Sequence, residues 1–155
     1  MIISKDALQY IQLSGCWRLP WGDIAHISVV KTTQGVEQVT LPYIGIKLKD
    51  TEHLVNVMSA RLANKLLHEQ KFLLIWAVNH HMITYEQSLI NFTPYKLTDK
   101  KEVTGPLAAF LHQTKILEQI FGFQLYIPNT ALDREITLFV QLLRDCQNYV
   151  STKLD

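Results

Sequence analysis

Six histidines hold most of this chain's capacity for acid–base or metal chemistry: His26, His53, His68, His80, His81 and His112. Imidazole titrates near neutrality and ligates metals, so their spacing is the first thing to test. His68-Glu69 opens like a helical zinc-protease motif, which needs a second histidine one turn later to share the metal. Phe72 stands in that place, and the motif is absent. His80 and His81 are adjacent near the expected end of a helix. Neighbouring side chains diverge there, and partial positive charge suits the helix dipole. They read as helix-end residues, and no metal or other cofactor is expected. Asp133 and Glu135 flank Arg134, but carboxylates that close on a helix point apart, so capping and solvation account for them. The glycines are isolated, with no GxGxxG, GxxxxGK[ST] or GxSxG to cradle a phosphate or present a nucleophile. No catalytic residue is assigned.

Aromatic and apolar clusters are the remaining candidates. Trp17 and Trp21 bracket Arg18 and Pro20 with the alternation of a strand. Tryptophans at a sheet edge can grip a peptide or enter a membrane interface, or they can fill a core. Phe72-Leu73-Leu74-Ile75-Trp76-Ala77-Val78 is apolar all round, as in a helix end that is buried on every side or docks against something. Trp17, Arg18, Trp21, Phe72 and Trp76 are therefore the candidate interaction surface.

The elements that position these residues follow from patterning. Ala7–Leu13, Trp17–Trp21, His26–Lys31 and Tyr43–Lys49 alternate as strands, separated by Ser14-Gly15, Gly22-Asp23 and Thr33-Gln34-Gly35. In the last of them Ile44, Ile46 and Leu48 face one way. Ser59 is placed to cap a helix running to about Val78, with no Gly or Pro to interrupt it. Tyr85–Ile90 reads as a short helix and Asn91–Thr104 as a loop. Gly105-Pro106 opens a helix that Gly122 ends. Phe123–Ile127 returns as a strand. A last helix spans about Arg134–Tyr149, capped at Thr130–Asp133 or by Asp133 alone, with Ile136, Phe139, Val140, Leu143 and Cys146 inward. Strands first and helices after argue for an α+β fold.

Size and charge bound the rest. A chain of 155 residues suits a single domain over 1–155. Fifteen basic against 14 acidic residues, formal net charge +1, lack the concentrated positive field that nucleic acid requires, so none is expected as partner. Charged residues are 19%, below the roughly 25% usual for soluble domains, which leaves apolar surface for a partner. Cys16 and Cys146 are expected as buried, reduced thiols of a cytoplasmic protein. The start turns charged before an apolar signal region develops, and no run approaches the roughly 20 apolar residues that span a bilayer.

Trp17-Arg18-Leu19-Pro20-Trp21-Gly22-Asp23-Ile24, and then Tyr43-Ile44-Gly45-Ile46-Lys47-Leu48-Lys49-Asp50, resemble the pattern of bacterial pleckstrin-homology-like domains. Leu125-Tyr126-Ile127-Pro128 through Leu132-Asp133-Arg134 and the helix after it look like the closing strand and capping helix of that fold. Ser59–Leu67, Ser88–Phe92 and Gly105–His112 look like a narrower bacterial family of unknown function, whose members carry an N-terminal membrane hairpin that this chain lacks. The resemblance implies a partly open β-barrel or sandwich with a helical insertion at about 51–121 and a C-terminal capping helix.

The function expected on these grounds is a non-catalytic module that binds a protein or lipid at the inner face of a bacterial membrane, held there through a segment not in this chain. A homo-oligomeric structural domain is the alternative. An enzyme without a recognisable motif, using His112 or His68 with a carboxylate, is the third.

Overall fold

In the computed structural model, which describes residues 1–154, the elements run β1 (Ile2–Ile3), β2 (Ala7–Gln12), β3 (Gly15–Pro20), β4 (Ile24–Gln34), β5 (Glu37–Leu48), α1 (Leu54–Val57), α2 (Ala60–Glu69), α3 (Lys71–Asn79), β6 (Tyr95–Lys96), β7 (Glu102–Val103), α4 (Gly105–Phe121), β8 (Leu125–Pro128) and α5 (Ile136–Leu154). The class is α+β, with open antiparallel sheets and helices. Two units separate by contacts. One comprises Met1–Ile11, Trp17–Asp50 and the chain from Phe123 onward. The other comprises Gln12–Cys16 and Thr51–Gly122.

The first unit holds the sheets ordered β1-β2-β3 and β4-β5-β8. Strands β4 and β5 form a long antiparallel ladder, and β8 pairs with β5 from Tyr43↔Pro128 to Ile46↔Leu125. Register shifts fall between Ile24 and His26 and between Val29 and Lys31. The second lies opposite Pro42, whose nitrogen cannot donate to a ladder. Gln124 extends the β5–β8 ladder, because its N–H donates to Ile46 O at 3.1 Å and its Oε1 accepts from Leu48 N at 2.8 Å.

Helix α5 buries Phe139, Val140 and Leu143. Each such side chain stabilises by about 1.5–3 kcal/mol when fully withdrawn from water. Strand β4 is an edge, and α5 meets its unpaired carbonyls: Arg144 Nε donates to Ile27 O at 2.8 Å and Gln147 Nε2 to Ile24 O at 2.9 Å. The cap of α5 differs from expectation. Asp133 is taken up by Arg134, at 3.0 Å, while the Glu135 carboxylate accepts from the N–H groups of Thr137 and Leu138 and from the Thr137 hydroxyl. Those bonds, the Thr137 hydroxyl foremost, hold the Glu135 carboxyl below its ordinary value.

In the second unit, Ser59 Oγ accepts from Leu62 N at 3.2 Å and starts α2 as expected. The single helix expected from Ser59 to Val78 is in fact two, broken at Gln70, which ends α2 and precedes α3. Gln70 is 2% exposed, and its amide atoms have no partner among the described residues. Leu62, Ala63, Leu66 and Leu67 form the buried face of α2, which packs on α4. Helix α4 ends at Gly122, at φ +87°, in the left-handed region where a side chain is unfavourable. The expected loop 91–104 contains the β6–β7 hairpin, pinned by Glu52: Thr98 N and Oγ1 each donate to its carboxylate at 2.8 Å.

Candidate functional site

Of the five residues expected at an interaction surface, two are core. Trp17 is 2% and Trp21 3% exposed. Trp17 packs against Tyr10 at 5.6 Å between ring centroids, and Trp21 Nε1 donates to Ser4 O at 2.9 Å. Both tryptophans are therefore withdrawn from the interaction surface, and the core reading that their alternation equally allowed is the one the structure shows. Alternation left both open, because it assigns a face without saying whether that face looks inward or outward. Arg18 is exposed and belongs to the same unit.

Phe72 and Trp76 lie on α3. Phe72 is 49% exposed, and Trp76 is half-buried, its ring stacked on His80 at 3.8 Å and tilted against Phe121 at 6.1 Å. Of the all-apolar run, only Leu73, Leu74 and Ala77 are buried, while Ile75 remains 48% exposed. Seven of the thirteen large apolar side chains exposed among the described residues fall between Phe72 and Phe92. Four of the seven, Ile75, Tyr85, Leu89 and Ile90, come together in space rather than lying scattered.

A groove of about 670 Å³ opens there. Lys71, Ile75, Val78 and Asn79 form its floor, spaced i, i+4, i+7 and i+8 so that one stripe of α3 faces it. Tyr85, Ser88, Leu89 and Ile90 form the wall, following a 3₁₀ turn at Glu86–Ser88 where a short helix was expected. Lys71 is the one charged residue of the eight, and it makes no ion pair among the described residues. Sequence reading missed the wall. Its signal was an apolar Tyr85, Leu89 and Ile90 in a segment with no periodicity to bury them.

The turn between floor and wall is set by the two adjacent histidines. Met82 N donates to Ala77 O at 2.9 Å and His81 N to Val78 O at 3.0 Å, the paired bonds of a Schellman ending. His81 takes the left-handed position, φ +57°, usually given to glycine. His80 Nδ1–H donates to Trp76 O at 2.7 Å. Their role here is to end a helix.

His68 and His112, the histidines named for an enzyme reading, lie in the same unit. His68 is exposed beside Arg61, Asn64, Lys65 and Glu69. His112 is half-buried, its Nε2–H donating to Thr93 O at 2.9 Å, with the Tyr95 ring edge-on at 5.0 Å. Burial, and then the charges of Glu52 and Glu118, push the Tyr95 phenol above its ordinary value. No cluster of three or more His, Cys, Asp or Glu side chains able to hold a metal occurs among the described residues. Cys16, expected buried, is exposed, and Cys146 is half-buried. No helix among the described residues is long and apolar enough to cross a membrane.

No curated protein and no solved structure matches the chain. One family model, described as a protein of unknown function (DUF2982), matches residues 1–149, covering both the groove and the sheets. The chain therefore belongs to the DUF2982 family of proteins of unknown function.

Proposed function

We propose that this protein is a non-catalytic binding module whose ligand site is the groove of α3 and residues 85–90. The observation that carries the reading is the groove itself: about 670 Å³, apolar for the most part, with a few polar groups among its lining. Small-molecule sites have this size and composition. The concentration of exposed apolar side chains between Phe72 and Phe92 supports a working partner for this surface. Work at the inner face of a bacterial membrane, against lipid or protein, is part of the same proposal and is motivated by that surface.

The sheet-bearing unit is read here as a pleckstrin-homology-like scaffold. Support comes from the antiparallel β4-β5-β8 arrangement followed by an amphipathic C-terminal helix that hydrogen-bonds the edge strand. The non-catalytic part of the reading draws on the histidines. His80 Nδ1 and His112 Nε2 are committed to main-chain carbonyls, in the manner of structural groups.

Titration with a solvatochromic apolar dye such as Nile red tests the groove. One saturable site is expected, lost in Ile75→Asp and Leu89→Asp and retained in Leu138→Asp, an exposed position on α5. Equal binding by all three variants would remove the groove from the proposal. Light scattering of the wild type at the same concentrations separates dye binding from self-association through this surface.

A further inference from the structure

We propose that the groove takes a single-chain anionic amphiphile, an acyl-chain carboxylate in monomeric form, with its head at Lys71 and its chain along Ile75, Val78, Leu89 and Ile90. This deepens the groove reading above and rests on it.

Charge and shape both point to that ligand. Along α3 the polar positions of the groove are at its ends, Lys71 at one and Asn79 at the other, about 12 Å apart at 1.5 Å per residue. Between them the floor is Ile75 and Val78, and the facing wall contributes Leu89 and Ile90 beside the uncharged Tyr85 and Ser88. A ligand that fits must be charged at one end and apolar along its length. The charged end must be negative, because Lys71 is a cation and no carboxylate lines the groove. Glu86, the nearest acid in sequence on the wall side, is exposed and outside the lining.

An extended peptide would lay unpaired N–H and C=O groups against Ile75, Val78 and Leu89, at a cost a polymethylene chain does not incur. Ile75, Val78, Leu89 and Ile90 line a concavity, which suits a monomeric chain as the occupant.

Calorimetric titration of the full chain with decanoate and decyltrimethylammonium below their micelle-forming concentrations, and with decanol below its solubility limit, tests this. One site is expected, with decanoate bound about 1.5- to fivefold more tightly than decanol, the range an exposed charge pair provides. Lys71→Glu should invert the order, favouring the cationic amphiphile and leaving decanol unchanged. Lys71→Met should abolish the difference between decanoate and decanol. Lys71 is exposed, so both variants are expected to fold, and circular dichroism verifies it. Equal binding of decanoate and decanol, with both lost in Leu89→Asp, would overturn the anionic ligand and leave the groove reading standing. Binding that survives Leu89→Asp would overturn both. Binding only to phosphatidylglycerol vesicles, with no monomer bound, would overturn the proposal in favour of a membrane surface.

Discussion

At Gly45 the sheet leaves room for a hydrogen and nothing larger. The strand position is extended and ordinary in backbone, paired with Ser28 on one side and Tyr126 on the other. A Cβ there would overlap the ring of Phe123, which is held in turn by an edge-on contact with Tyr126 and a stacked one with His26. Gly45→Ala is therefore expected to destabilise the protein by about 1–3 kcal/mol, the usual cost of overpacking. Urea unfolding measures it, and Phe123→Leu in the same chain should recover part of the loss, because the two sites are in contact. An unchanged midpoint would mean that the ring has room to move. The same residue marks a limit on what patterning reveals. Ile44, Ile46 and Leu48 were legible as one inward face, yet Tyr43 and Gly45 on the other face are buried too. The tryptophans illustrate the converse: Trp17 and Trp21 were legible as sharing a face, and burial decides for the core over the interaction surface. At the groove, Phe72 stood out because a helical run carried it, whereas Tyr85, Leu89 and Ile90 had no periodic neighbours to draw attention to them.

Helices in this chain begin and end on local chemistry, and where that chemistry is conventional they were legible. Ser59 starts α2, and Pro106 and Gly122 bracket α4. The ending of α3 is less conventional, because His81 occupies a left-handed position with a Cβ. For an L-residue that conformation costs about 1–2 kcal/mol. His81→Gly is expected to raise stability by about 1 kcal/mol, offset in part by the greater freedom of glycine in the unfolded chain. Thermal unfolding measures the gain, and the groove should keep its dye affinity, since His81 does not line it. A fall in stability would show that the imidazole makes a contribution beyond closing the turn. Other boundaries were out of reach of local rules. Gln70 is a good helix former, so nothing announced the break that splits α2 from α3. Strands β6 and β7 are two residues each, too short for alternation to register, and Glu52 steadies their hairpin from far away in sequence. The start of α5 shifted because Glu135, rather than Asp133, holds the open N–H groups.

Across the whole chain, the segment Thr51–Gly122 leaves and re-enters one sheet at neighbouring points. Strand β5 ends at Leu48 and β8 begins at Leu125, and Gln124 bridges the two through Ile46 O and Leu48 N. Adjacent antiparallel strands of this kind are what a tight hairpin joins, and Asn-Gly is the dipeptide best suited to turn them. The sheet-bearing unit also has apolar core residues of its own, among them Leu8, Trp17, Leu19, Trp21, Ile27, Ile46, Ile127 and Leu143. Replacing Thr51–Gly122 by an Asn-Gly turn is therefore expected to leave a unit that unfolds cooperatively in urea, with a denaturant slope reduced to roughly half, as slope follows the surface exposed. The readout is built into the chain. Of the three tryptophans, Trp76 leaves with the excised segment, and Trp17 and Trp21 remain as buried reporters whose emission should stay blue-shifted. Red-shifted emission and a broad, uncooperative transition would show that the sheets require residues 51–122 to fold. The native-like outcome would show that the sheet unit folds without the residues that build the groove, so that groove variants can be read without concern for the β-sheets.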